Sequence, residues 1–151
     1  MDGRVIYDKN YKVLICLQHQ YAIASGWLER HFREEHPDCP LPTRQKMVDE
    51  ATKLETVQPN QIIYTSTPVK PVLHLKTLTG YCCNEEECRE IKGTISSITV
   101  HCRSKHLWTT KKGTGWTEVP VQTFFQGNHR RYYDVVFILT VVISKSPKGI
   151  C

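Results

Sequence analysis

Tyr11, Val13 and Ile15 recur at every second position near the start of the chain, so residues 7–15 are expected to form a short strand leading to Cys16. A second extended piece is expected over 20–24. From Ser25, which stands where an N-cap would, Trp27, Leu28 and Phe32 recur at helical spacing through Glu35, and Pro37 stops the helix. Thr43 is expected to cap a second helix whose apolar positions Met47, Val48, Ala51 and Leu54 share one face, with Pro59 closing it.

Residues 59–80 contain Pro59, Pro68, Pro71 and Gly80 and suit an extended connector better than a helix. From Tyr81 the pattern predicts a hairpin and then a helix over 94–106, with Gly93 and Thr94 supplying turn and cap. Lys111-Lys112-Gly113-Thr114-Gly115 reads as a turn. Residues 116–125 read as a strand, and 132–143, rich in β-branched and aromatic residues, as a buried strand after the Gly127-Asn128 turn. Residues 144–151 are expected to be a disordered tail.

The chain has 151 residues, 40% hydrophobic and 23% charged, enough for one modest core or two small modules that each need a staple. Seven cysteines is an odd number, and the opening MDGRVIYDKN lacks the charged and apolar regions of a secretory signal. Reduced thiols in a nuclear or cytoplasmic protein are therefore expected, and not secretion. The longest apolar run, 135–143, is too short to cross a bilayer, which takes about 20 helical residues. The net charge of +5 is uneven: residues 81–151 carry ten Lys and Arg against six Asp and Glu, whereas residues 1–80 carry ten against nine. That surplus permits contact with a polyanion but falls short of a dense basic tail.

The chemistry lies in the cysteines and histidines. Zinc takes four ligands at tetrahedral corners, and a hairpin followed by a helix supplies two from each. Cys83-x4-Cys88, twelve residues, then His101-x4-His106 meets this spacing throughout. Ile98, three residues before the first His, is placed for the small core, to which Ile91 or Ile95 can add. Cys82 is an alternative to Cys83. An earlier unit, Cys16-x2-His19-x11-His31-x4-His36, is less regular; Tyr21, Ile23 and Leu28 stand where a finger packs its core, and Cys39 is a substitute ligand candidate restricted by Pro37 and Pro40. Replacing a thiolate by His19 is expected to weaken affinity and change the local reach. Four protein ligands leave no open position for a reactive water, so both sites are expected to be structural.

The stretches V-L-I-C-L-Q-H-Q-Y-A-I at 13–23, L-E-R-H-F-R-E-E-H at 28–36, L-T-G-Y-C-C at 78–83, the His pair at 101 and 106, W-T-E-V-P-V-Q-T-F-F at 116–125 and R-Y-Y-D-V at 131–135 together resemble the fungal family of orsellinic acid biosynthesis cluster protein D. The resemblance covers about residues 11 to 136. It implies two degenerate C2H2-like fingers joined by a helix and closed by a Trp and Val-Gln-Thr-Phe segment. Members are often longer, and some accompany helicase-like or mobile-element sequence, which implies work near DNA. The chain departs from the family pattern at His19, where the family has Cys, and its early end reads as that of a truncated or fragmentary product.

The expected fold class is therefore α+β: two small separated ββα zinc-finger-like units joined by a helix, with C-terminal strands. The expected organisation is a degenerate C2H2-like finger over 11–36, a helix and Pro-rich connector over 37–80, a C2H2-like zinc finger over 81–108, a C-terminal β segment over 109–143, and the tail. Zn2+ is the expected cofactor. DNA or RNA binding through Arg89, Lys92, Arg103, Lys105, Lys111, Lys112, Arg130 and Arg131 is one expectation; a protein-interaction or scaffolding module is the other. The intervening residues 37–82 prevent the units from tracking a groove as a tandem array. An enzyme pairing Cys102 or Cys39 with His74 or His129 has no local nucleophile signature behind it; no catalysis, small-molecule substrate or membrane contact is expected.

Overall fold

The computed structural model describes residues 3–65 and 67–137. The expected tail, and residues 138–143 of the expected last strand, lie outside the described residues. The fold is α+β, with three α-helices and two antiparallel sheets among the described residues.

The first sheet has the order β1 (Val5–Asp8), β2 (Val13–Cys16) and β3 (Tyr21–Ile23). The single strand expected over 7–15 is thus two strands and a turn. Asp8 accepts from the backbone N–H groups of Asn10 and Tyr11, both at 2.9 Å, and Lys12 takes a left-handed φ of 52°, so the chain reverses where its alternation looks unbroken. All four residues of β2 are buried. Because successive side chains face opposite sides, Leu14 and Cys16 enter one core while Val13 and Ile15 enter another.

Helix α1 (Leu28–Glu35) follows a 3-10 turn at Ser25–Trp27, and no side chain caps either element, contrary to the role expected of Ser25. Helix α2 (Leu41–Thr52) starts before Thr43: Pro40 is its N-cap and Pro42 lies in its first turn, where a missing N–H costs nothing. It ends at Thr52, well before Pro59. Leu28, Phe32, Met47 and Ala51 pack on Leu14, Cys16 and Ile23, closing the first core.

The second sheet has the order β5 (Ile91–Lys92), β4 (Leu78–Cys83), β6 (Trp116–Gln122) and β7 (Tyr133–Asp134). Strand β4 starts at Leu78, inside the expected connector, because it pairs with β6 from Leu78 opposite Val121 to Cys83 opposite Trp116. Helix α3 (Ile95–His106) starts on the expected cap: Thr94 Oγ1 accepts from Ser97 N–H at 3.2 Å.

The connector is no bare spacer. Val72 and Leu75 join Val13, Ile15, Ala22, Phe124, Phe125, Tyr133 and Val135 in a core between the first sheet and the C-terminal strands. Gln122, buried to 1% exposure, ties this junction. Its Oε1 accepts from Val72 N–H at 2.7 Å, and its Nε2 donates to the carbonyls of Val72 and Leu75 at 3.1 and 3.0 Å. No helix among the described residues is long and apolar enough to cross a membrane.

Gly80 marks the tightest approach of β4 to β6, since a Cβ there would lie 2.6 Å from Cγ1 of fully buried Val121. Gly80→Ala is expected to lower stability by about 1–3 kcal/mol through overpacking. Gly26→Ala, with nothing within 4 Å of the new methyl, should change it by less than about 0.5 kcal/mol. Denaturant unfolding of both variants checks the contrast.

Candidate metal centres

Cys16 ends β2, and the turn to β3 must bring His19 back beside it. Gln20, at φ 56°, closes that turn by donating its N–H to the Cys16 carbonyl at 2.7 Å. His19 then presents Nδ1, 3.4 Å from Cys16 Sγ. Nδ1 is the ring nitrogen nearer the backbone, so imidazole can serve where a shorter thiol side chain is usual. From the helical side, His31 projects from α1, while His36 lies just past its end at φ −130°, ψ 60°. Pro37 disfavours helical geometry at His36. Once off the helix, His36 brings Nε2 to 3.3 Å from Cys16 Sγ.

The second group has the same plan. Cys83, at the end of β4, and Cys88, in the following turn, face His101 and His106 of α3; Cys88 Sγ lies 3.2 Å from His101 Nε2. His106 is the last helical residue, and left-handed Leu107 ends the helix at φ 48°. Ile98 is fully buried under the group as expected, whereas Ile95 is 52% exposed and contributes nothing to the core. Strand alternation turns Cys83, and not Cys82, toward the ligands; the Cys82 thiol contacts the Cys83 carbonyl at 3.6 Å. Cys102 lies outside the four but reaches 3.9 Å from Cys83 Sγ.

Cys16, His19, His31 and His36 form one group, and Cys83, Cys88, His101 and His106 another; in each, the four donor atoms lie within 4.8 Å of one another. Ligand bonds of about 2.0–2.3 Å at tetrahedral angles put sulfur and nitrogen roughly 3.5 Å apart. The observed sulfur–nitrogen distances of 3.2, 3.3 and 3.4 Å fit that edge. His31 Nε2 and His106 Nε2 supply a further test: both are buried without a hydrogen-bond partner, an arrangement that costs free energy unless a lone pair meets a cation. Both groups are thus able to hold a metal ion.

Burial favours the neutral form of His31, His36 and His101, the form in which imidazole binds a metal. Burial, then the neighbouring His36 and His19, pushes His31 down to about 4, so its imidazole is neutral at neutral pH. Burial likewise lowers His36 and His101. It raises Cys83 and Cys88, and a divalent cation would reverse this by stabilising the thiolates. Outer partners orient the rings: Tyr21 Oη is 3.3 Å from His31 Nδ1, and Glu35 Oε2 is 3.9 Å from His19 Nε2. With Nε2 of His31 kept for a metal, Nδ1 carries the proton and Tyr21 oxygen accepts it.

Other expected residues are more scattered. Cys39 is buried beside the Pro40 carbonyl, outside the first group. Arg89, Lys92, Arg130 and Arg131 line one cleft of about 510 Å³ with Tyr64 and Tyr132. Arg103 and Lys105 are on α3, and Lys111 and Lys112 on a 3-10 turn; none of these four lines that cleft. Cys102 contacts Cys83 and the Gly115 carbonyl, and His129 lies against Trp27. The roles of Tyr21 and Gln122 were missed because only pairing across the fold reveals them. Tyr21→Phe is expected to weaken metal affinity at the first group by about 10- to 100-fold, measured by chelator competition, and to leave the second group unchanged.

The family described as orsellinic acid/F9775 biosynthesis cluster protein D matches residues 4–107, a span that includes both groups of donors. A protein of that name from Emericella nidulans is 26% identical over 129 residues. The match covers 85% of this chain and 25% of the relative, so the chain spans about a quarter of that protein's length. No solved structure matches. With well over half of its length matched, the chain belongs to the orsellinic acid/F9775 biosynthesis cluster protein D family.

Proposed function

We propose that the chain is a structural zinc domain whose two closed sites hold a cationic cleft for nucleic-acid phosphates, with no catalytic step at either metal. Mixed thiolate and imidazole donors at tetrahedral spacing suit zinc, and four protein ligands leave no position for a reactive water. The six described cysteines are free, in keeping with a reducing nuclear or cytoplasmic setting. Native mass spectrometry is expected to find two zinc ions per chain, one after Cys88→Ala, and tighter first-site binding after His19→Cys. A wild-type protein that folds without metal overturns the reading.

The observation that carries nucleic-acid binding is the convergence of Arg89, Lys92, Arg130 and Arg131 on one cleft. Arg89 pairs with Asp134 at 3.2 Å and Lys92 with Glu90 at 2.7 Å, which tempers the field and leaves Arg130 and Arg131 as its main exposed charges. The finger helix is a poor sequence reader. Counted from Ile95, its base-contacting positions −1, 3 and 6 are Thr94, Ser97 and Val100. All three are uncharged, none offers a bidentate edge, and the Thr94 hydroxyl is committed to the cap. Helix α3 therefore does not read sequence, and what the cationic cleft contacts is phosphate.

Replacing Arg130 and Arg131 together by Ala should weaken binding and flatten the slope of log affinity against log salt by about 1.4 on a single strand. The favoured alternative is a protein partner on α3, where Ile95, Val100 and Leu107 are exposed. Absence of binding to every strand and duplex at low salt removes the first reading in favour of this one.

A further inference from the structure

We infer that a second cleft, walled by Trp27, Gln126, Asn128 and His129, takes one unpaired nucleobase, and hence that the partner is a single-stranded nucleic acid. This rests on the proposed nucleic-acid reading and names its substrate class.

The argument starts where β6 ends. Phe124 and Phe125 are buried, which fixes the chain as it leaves the core at Gln126. Gly127, at φ 63°, then opens a 3-10 turn over Gly127–His129 that carries Asn128 and His129 to the surface. From the other side, the turn before α1 brings up Trp27, which stays 45% exposed. The Trp27 and His129 rings meet with centroids 5.3 Å apart and planes tilted by 44°. They form an aromatic ledge in a cleft of about 390 Å³ that is also lined by Ala22, Ile23 and Phe125, by Tyr21, and by His31 of the first donor group. That volume lies at the lower end of the roughly 300–1,000 Å³ typical of small-ligand sites.

The lining matches a flat heteroaromatic ring with a polar edge. Trp27 offers a face for stacking, and the Gln126 amide nitrogen and the Asn128 amide offer donors and an acceptor of the kind a base edge needs. A phosphate would not sit there. Glu34 and Glu35 stand on the same rim, and Arg30 is bound to both Glu34 oxygens at 3.0 Å, so its charge is already answered.

The phosphates have a place next door. Segment 126–132 contributes Gln126, Asn128 and His129 to this cleft, and Arg130, Arg131 and Tyr132 to the cationic one. Arg130 also donates to the Gln126 side chain, so the two clefts share a wall. An aromatic stacking surface beside a cationic track is the arrangement that suits single strands, and a base held in the slot cannot be paired.

The test is fluorescence anisotropy of the zinc-loaded chain with labelled oligothymidine of about twelve nucleotides, an abasic strand of the same length, and a duplex. The base-bearing strand is expected to bind at least roughly tenfold tighter than the abasic one. Trp27→Ala should lose roughly 5- to 100-fold on the base-bearing strand only, with salt slope and zinc content unchanged, and Trp27→Phe should recover most of the loss. His129→Ala, at an exposed turn, carries the same test should Trp27→Ala fail to fold. Equal binding of base-bearing and abasic strands, preference for the duplex, or wild-type affinity in folded Trp27→Ala overturns the slot while leaving phosphate binding standing. No binding to any of the three overturns both.

Discussion

Four polar donors gathered in a protein interior need a partner for their lone pairs, and that requirement shapes this fold twice. Cys16, His31 and His36 are buried, and His31 Nε2 has no hydrogen-bond partner. The cores beside the two groups differ in size. The first donor group sits against a layer built from β2, β3, α1 and α2, whereas the second rests on Ile98, Cys102 and a few half-buried aromatic rings. A metal held at the second group would therefore substitute for apolar area that so small a core cannot bury.

The units meet through what the sequence presents as linker. Val72 and Leu75 enter the same core as Ile15 and Phe125, and Gln122 satisfies backbone groups of the incoming segment. A buried amide with its donors and acceptor engaged fixes a geometry that apolar packing alone would leave loose. Phe124 and Phe125 are held by this junction, and the exposed turn that follows them carries His129, Arg130 and Arg131. Metal ions held at the two groups would act on the clefts indirectly, by fixing the elements from which the clefts are made.

The charge of the C-terminal half is better understood by position than by sum. Eight basic residues are spread through the second unit and the C-terminal segment, yet four converge on a single cleft with three tyrosines. Helix α3 has Thr, Ser and Val at its reading positions and exposes Ile95, Val100 and Leu107. It supplies His101 and His106 to the second donor group, and the four basic residues of the cleft come from β5 and the turns beside β5 and β7.

The sequence alone determined the eight donors, the Thr94 cap, the core places of Leu28 and Ile98, and the α+β class. All of these follow from local spacing, and a tetrahedral ion together with helix and strand periodicity makes such spacing diagnostic. Tertiary structure decided the rest. It turned Cys83 and not Cys82 toward the donor group, because the face of β4 is set by its pairing with β6. It split the first expected strand, because the Asp8 turn outweighs alternation. It made a core segment of the connector and set Trp27 against His129, two residues far apart in the chain. Periodicity describes one element at a time; which elements meet depends on packing between distant segments, and the clefts exist only where they meet.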